Sequence, residues 1–181
     1  PTKETYFGNV NPFGPRSSYD ESKRLSETLC YIYNDKFELP INIVRPFNNY
    51  GPGLNLNDGR VIPDFFNDVL NNRDIVLFSD GSATRTFCYI SDAIEGYLRI
   101  LLSNHNGESF NIGIESPEIS MLDLAKKIVK ISNKNLKIKF DKSDDKDYLT
   151  DNPNRRCPSI EKAKNLLNFN PKVSLDEGLR L

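Results

Sequence analysis

The strongest constraint on this chain is an alternation of two sequence periods. Short, largely apolar runs occur at 41–45 (INIVR), 75–78 (IVLF), 85–90 (RTFCYI), 109–113 (SFNIG) and 136–140 (LKIKF). Runs of this length and β-branched content suit strands and are too short for stable helices. The segments between them carry apolar residues three and four apart, which places those side chains on one helical face. The first such segment opens at Ser17 or Ser18, either of which offers an N-cap. Its stripe is Leu25, Leu29, Ile32 and Tyr33, and it should end before Pro40. Further helices are predicted over Ile62–Asn71, with Pro63 in the first turn, and from Ser91 or Asp92 to about Leu102. Two more are predicted over Met121–Ile131 and from a Ser159 cap through Leu167. Strands alternating with helices predict the α/β class.

Composition narrows the function classes. The chain has 181 residues, enough for one ordinary domain or one and a half small ones. Its 24 Lys and Arg against 25 Asp and Glu leave no basic excess, so a broad nucleic-acid footprint is not expected. No apolar run approaches the roughly 18 residues of a membrane span, and no secretion signal is visible. Cys30, Cys88 and Cys157 are odd in number and far apart, which argues against a disulfide framework and for a reducing, cytoplasmic setting. His105 is the single histidine, so neither a multi-histidine metal site nor a His-centred triad can be built around more than that one residue, and no metal ligands are assigned. The cysteines and His105 read as packing and solvated residues rather than as a site. The polar stretch Asp141–Arg155 reads as a long loop, a length often tied to function.

Tyr19 and Lys23 lie four apart near a helix start, on one face. A phenol ionises only near pH 10, and a neighbouring ammonium favours the phenolate. Such a pair can take a hydroxyl proton while a hydride leaves the same carbon. The lysine can also donate to sugar hydroxyls. Taken alone, a tyrosine and a lysine four apart on a helix more often form a solvated face.

The surrounding segment, GNVNPFGPRSSYDESKRLSETL, resembles the active-site helix of the extended short-chain dehydrogenase/reductases, the NAD-dependent epimerase/dehydratase family. Further similar segments follow in family order: INIVRPFNNYGPG, NDGRVIPDF, DGSATRTFCYISD, FNIG and NRRCPSIEKAKNLLNFNPKVSLDEGL. YDESKR, NDGRV and RRCPSI are most similar to the UDP-glucuronate decarboxylases, or UDP-xylose synthases. Gly53 stands where many of those enzymes carry arginine. The resemblance starts just after the family's SSEVYG motif. The Gly-rich pyrophosphate turn and roughly the first half of the usual enzyme are therefore expected to lie outside this sequence.

The resemblance implies a fold and a chemistry. The fold is the C-terminal part of an extended Rossmann-type enzyme with its smaller α/β substrate domain. Residues 1–60 would be the remainder of the NAD-binding domain, and 61–181 mainly the nucleotide-sugar domain, with 85–113 packing back on the Rossmann part. Tyr19 and Lys23 would be catalytic and would contact NAD together with Asn49. Asn48, Arg60, Arg85 and Arg156 would bind the nucleotide sugar, because a diphosphate is best held by guanidinium donors. Arg155 competes with its neighbour Arg156 for that role. The implied reaction is oxidation of UDP-glucuronate at C4, loss of carbon dioxide from the 4-keto acid and reduction to UDP-xylose. The alternatives are a 4-epimerase or 4,6-dehydratase, or a non-catalytic piece that binds a nucleotide sugar. In the family the helix over 17–38 also forms a dimer seam, which implies a homodimer.

Overall fold

The structure, a computed structural model, describes residues 1–143, 147 and 150–181. In chain order it contains α1 (Ser17–Phe37), β1 (Ile43–Pro46), β2 (Asn49–Tyr50), α2 (Val61–Leu70) and β3 (Ile75–Leu77). These are followed by β4 (Thr84–Arg85), β5 (Cys88–Tyr89), α3 (Ile90–Leu101), β6 (Ser109–Ile112) and β7 (Ile119–Ser120). The last elements are α4 (Met121–Ser132), β8 (Ile138–Phe140), β9 (Arg155–Arg156), α5 (Glu161–Leu167) and α6 (Leu175–Gly178). The expected α/β alternation is therefore present. The expected strand over 85–90 is instead divided between β4 and β5, which join different sheets.

The ladders are mainly parallel. β1 pairs with β6, β2 with β5, β3 with β8 and β4 with β9, all parallel, and β7 closes on β4 antiparallel. Parallel partners cannot be joined by a tight turn, so each pair needs a long crossover. α2, α3 and α4 lie within these crossovers and bury apolar residues in doing so.

Two cores result. One lies among α2, α4 and β3, where Phe65, Val69, Ile75, Leu124 and Ile128 are all buried. The other surrounds β6, whose Phe110 and Ile112 are fully buried against Ile100, Ile160, Ala163 and Phe169. At Gly96 of α3, an added Cβ would lie 2.9 Å from two side-chain carbons of Ile112. The absent side chain is what lets α3 lie flat on β6.

Three expected caps are corrected by the structure. Ser17 and Ser18 lie inside α1, whose N-cap is Arg16 with no side-chain hydrogen bond. α3 begins at Ile90 after Tyr89. Asp92 is buried and accepts the backbone N–H groups of Lys172 and Val173 at 2.9 and 2.8 Å, so it anchors the C-terminal segment instead of capping a helix. α5 follows Ile160, and Ser159 is buried beside it. Serine does cap two other helices: Ser120 accepts from the N–H of Asp123 on α4, and Ser174 accepts from that of Glu177 on α6. The three cysteines are free, and Cys88 and Cys157 are buried. Among the described residues no helix is long and apolar enough to cross a membrane, and no group of metal-ligating side chains is found. Part of the expected loop over 141–155 (residues 144–146 and 148–149) lies outside the described residues.

Candidate active site

A cleft of about 1430 Å³ opens between the start of α1, the loop after β1, α2 and the β4–β9 ladder. Tyr19, Asn48, Asn49, Arg60, Arg85 and Arg156, which lie up to 137 residues apart in sequence, all line it. Lys23 does not line it. It sits one helical turn beyond Tyr19, with its Nζ 5.4 Å from the Tyr19 ring centroid. Tyr19 is 59% exposed, so its phenol is open to the cleft rather than packed away.

Asn48 takes positive φ at 45°, a conformation that asparagine tolerates better than most residues, and this turns the chain out of β1. Its Nδ2 donates to the carbonyl of Thr86 at 2.9 Å and its own carbonyl accepts from Cys88 N–H, tying the loop to β5. The Asn49 amide meets the Tyr97 hydroxyl, while its Oδ1 is buried with no partner among the described residues. Whichever way that amide is turned, Tyr97 satisfies one end and the other end remains to be paired.

The arginines differ in how they are held. Arg60, the N-cap of α2, is exposed and bound by Asp58 through its Nε at 2.7 Å and through Nη2. This contact holds the Asp58 carboxyl below its ordinary pKa. An anion at Arg60 must therefore compete with Asp58. Arg85 is buried and donates to the carbonyls of Thr84 at 2.7 Å and Pro153 at 2.6 Å. Burial, followed by the positive charge of Arg156, pushes its pKa down to about 10, which still leaves it charged at neutral pH. Arg156 is also pushed down by burial and by the charge of Arg16, and the opposing influences come from Tyr19 and Asp20. Among the described residues neither Arg85 nor Arg156 forms an ion pair, whereas Arg155 is bidentate to Glu118. Partly desolvated guanidiniums side by side, with no ion pair among the described residues, are a site that an anion stabilises.

The structure distinguishes the adjacent arginines. Arg156 lines the cleft and Arg155 points to the other face of the ladder. It also adds Arg16, which the sequence reading missed. Arg16 lines the same cleft, lies 5.8 Å from the Tyr19 ring centroid, and has a buried Nε with no hydrogen bond among the described residues. Its place three residues before Tyr19, across the first turn of a helix, was the available signal.

Residues 2–113 match the model of the NAD dependent epimerase/dehydratase family. UDP-glucuronic acid decarboxylase 3 of Arabidopsis thaliana is 41% identical over 181 residues, covering 100% of this chain and 51% of that protein. UDP-glucuronic acid decarboxylase 1 of Xenopus tropicalis is 37% identical, covering 99% of this chain and 41% of that protein. The chain thus spans about half the length, or less, of these relatives. Among solved structures, UDP-glucuronic acid 4-epimerase from Bacillus cereus in complex with UDP-glucuronic acid and NAD superposes with a TM-score of 0.81. It is 32% identical, and the match covers 98% of this chain and 57% of that one. The ordered motifs, the parallel α/β ladders and these similarities agree, and the chain belongs to the NAD dependent epimerase/dehydratase family.

Proposed function

We propose that this chain carries the proton-transfer and sugar-nucleotide-binding part of an NAD-dependent enzyme that decarboxylates UDP-glucuronate to UDP-xylose. The observation that carries this reading is one cleft in which a solvent-open tyrosine at a helix start meets the buried guanidinium of Arg85 and the half-buried one of Arg156, neither of which forms an ion pair among the described residues. The names of the relatives support the choice of reaction.

The residues divide the work by position. Arg85 would hold the diphosphate, assisted by Arg60 once it exchanges Asp58 for phosphate. Arg156, whose neighbours include Tyr19 and Asp20, would lie at the sugar end, where a substrate carboxylate would balance it. The Tyr19 Oη would take the proton of a sugar hydroxyl, and the Lys23 ammonium beside the ring would stabilise the phenolate. The residues present also fit the nicotinamide end of NAD: the unpaired end of the buried Asn49 amide suits a carboxamide. Bound NAD would supply hydride acceptance and return.

In this reading residues 1–60 belong to the dinucleotide-binding half and 61–181 mainly to the sugar-nucleotide half, with 85–113 returning to the first. The β1–β6 and β2–β5 ladders support that division. Two copies would pair through α1, whose Leu25, Leu29, Ile32 and Tyr33 are exposed, to form a homodimer. A cytoplasmic setting suits the three free cysteines.

A second reading, 4-epimerisation or 4,6-dehydration, is favoured by the similarity to the Bacillus cereus 4-epimerase. The test is to supply the natural protein with UDP-glucuronate labelled with ¹³C in its carboxylate. Labelled carbon dioxide and UDP-xylose support decarboxylation. An epimer that keeps the labelled carboxylate supports 4-epimerisation, and a 6-deoxy-4-keto product formed from a UDP- or dTDP-hexose with a free C6 hydroxyl, with UDP-glucuronate left unchanged, supports 4,6-dehydration. Bound but unchanged UDP-glucuronate would reduce the chain to a binding module.

A further inference from the structure

The β4–β9 ladder is short and carries an electrostatic problem. Its register sets Thr84 beside Arg155 and Arg85 beside Arg156. Successive strand residues point to opposite faces, so one face presents two adjacent guanidiniums to the cleft and the other presents Thr84 and Arg155. Like charges in cross-strand register oppose pairing. Against that repulsion the flanking backbone sets Thr84 N–H donating to Asn154 at 2.8 Å and Thr86 N–H to Arg156 at 3.2 Å, and the Pro153 carbonyl accepts from Arg85 at 2.6 Å.

The opposite face carries the compensation. Glu118, just before β7, accepts Arg155 Nε at 2.8 Å and Arg155 Nη2 at 2.8 Å, and it also accepts the Thr84 hydroxyl. One carboxylate thereby grips both strands. These three bonds hold its pKa at about 2, so it is ionised wherever the protein works. A bidentate, hydrogen-bonded network is the arrangement in which a partly exposed ion pair does contribute.

We propose that Glu118 is a positioning residue for the sugar-nucleotide site: by holding Thr84 and Arg155 together on the outer face, it keeps Arg85 and Arg156 adjacent on the inner face. This rests on the reading of the cleft as a diphosphate site. Glu118 touches no substrate, so its effect belongs in binding rather than in the proton-transfer step at Tyr19.

The test uses the natural protein and UDP-glucuronate. Glu118→Gln keeps the shape and removes the charge. It should raise KM, and the Kd for UDP, about tenfold, with kcat within twofold of wild type. Arg155→Gln should do the same, and the double variant should be no worse than either single one, because both break the same clamp. Unchanged KM, a fall confined to kcat, or additive losses in the double variant would each overturn the proposal. If Glu118→Gln fails to fold, Thr84→Val removes only the link to β4. It should raise KM about threefold, and a wild-type KM would overturn the proposal. Failure of the wild-type protein to bind UDP at all would remove the diphosphate reading itself, and this inference with it. That result is distinct from equal binding by wild type and variant.

Discussion

α1 and α4 carry the same kind of apolar stripe and come to opposite ends. α4 has 12 residues and buries Leu124, Ala125 and Ile128 between α2 and β3. α1 has 21 residues and buries none of them, leaving Leu25 59% exposed and Tyr33 48% exposed. The starts of the two helices differ in the same sense. The Ser120 hydroxyl caps α4, whereas α1 begins at Arg16 without a side-chain bond. α1 is held by polar contacts instead. Glu27 takes Arg45 bidentately at 2.7 and 2.6 Å, Arg24 donates to the Phe7 carbonyl, and Asn34 bonds the Leu39 carbonyl and Asn106. A stripe shows what a helix is able to bury. It does not show that the covering surface lies in the same chain. Here the helix that carries Tyr19 and Lys23 is fastened at its polar side and open at its apolar side.

Four tests would break or sharpen this contrast. The largest effect is expected at Leu124→Ala, which empties a fully buried site and should cost about 2–5 kcal/mol in urea unfolding. Leu25→Ala, measured at low protein concentration, should stay within about 0.5 kcal/mol. An equal cost at both positions would mean that α1 is packed after all, and a Leu25 cost that grows with concentration would sharpen the contrast by showing a second copy on the stripe. Next is Glu27→Gln, which removes the charge from the clamp between α1 and β1. It should cost about 1–2 kcal/mol and should raise hydrogen exchange in α1 while leaving α4 protected. A smaller loss, about 1 kcal/mol, is expected for Ser120→Ala at the cap of α4, with a lesser one for Ser17→Ala inside α1. Equal losses at the two serines would contradict the observed N-terminus of α1. The mildest probe is alkylation at neutral pH. Half-buried Cys30 on α1 should react first. Cys88, whose thiol burial pushes up to about 12, and buried Cys157 should react only on unfolding. Early labelling of Cys88 would show that the second core opens as readily as α1.

Much of this was readable from residue order. α2, α3, α4 and the strands at 75–77 and 109–112 follow from apolar period, because each buries apolar residues, whereas α1 shows its period without burying its stripe. β2, β7 and β9 have two residues each, too few to display a period, and they exist because a partner strand is present. The expected cap at Asp92 failed for a tertiary reason: its carboxylate was recruited by the backbone of Lys172 and Val173, some 80 residues away. The site was legible as residue types in family order. Its division between Arg155 and Arg156 was not, since strand orientation is decided by Glu118 and Thr84, which are distant in sequence. Arg16 is one residue outside the helix start expected at Ser17 or Ser18, so its i, i+3 relation to Tyr19 becomes visible only once α1 is seen to be capped by Arg16.

The most direct test of the central claim is a calorimetric titration of UDP-glucuronate into the natural protein and its Arg156→Ala variant. The cleft as described predicts saturable binding of one ligand per chain, weakened at least tenfold in the variant. Absence of binding by the wild-type protein, or equal affinity in the two, would contradict the assignment of this cleft to a sugar nucleotide.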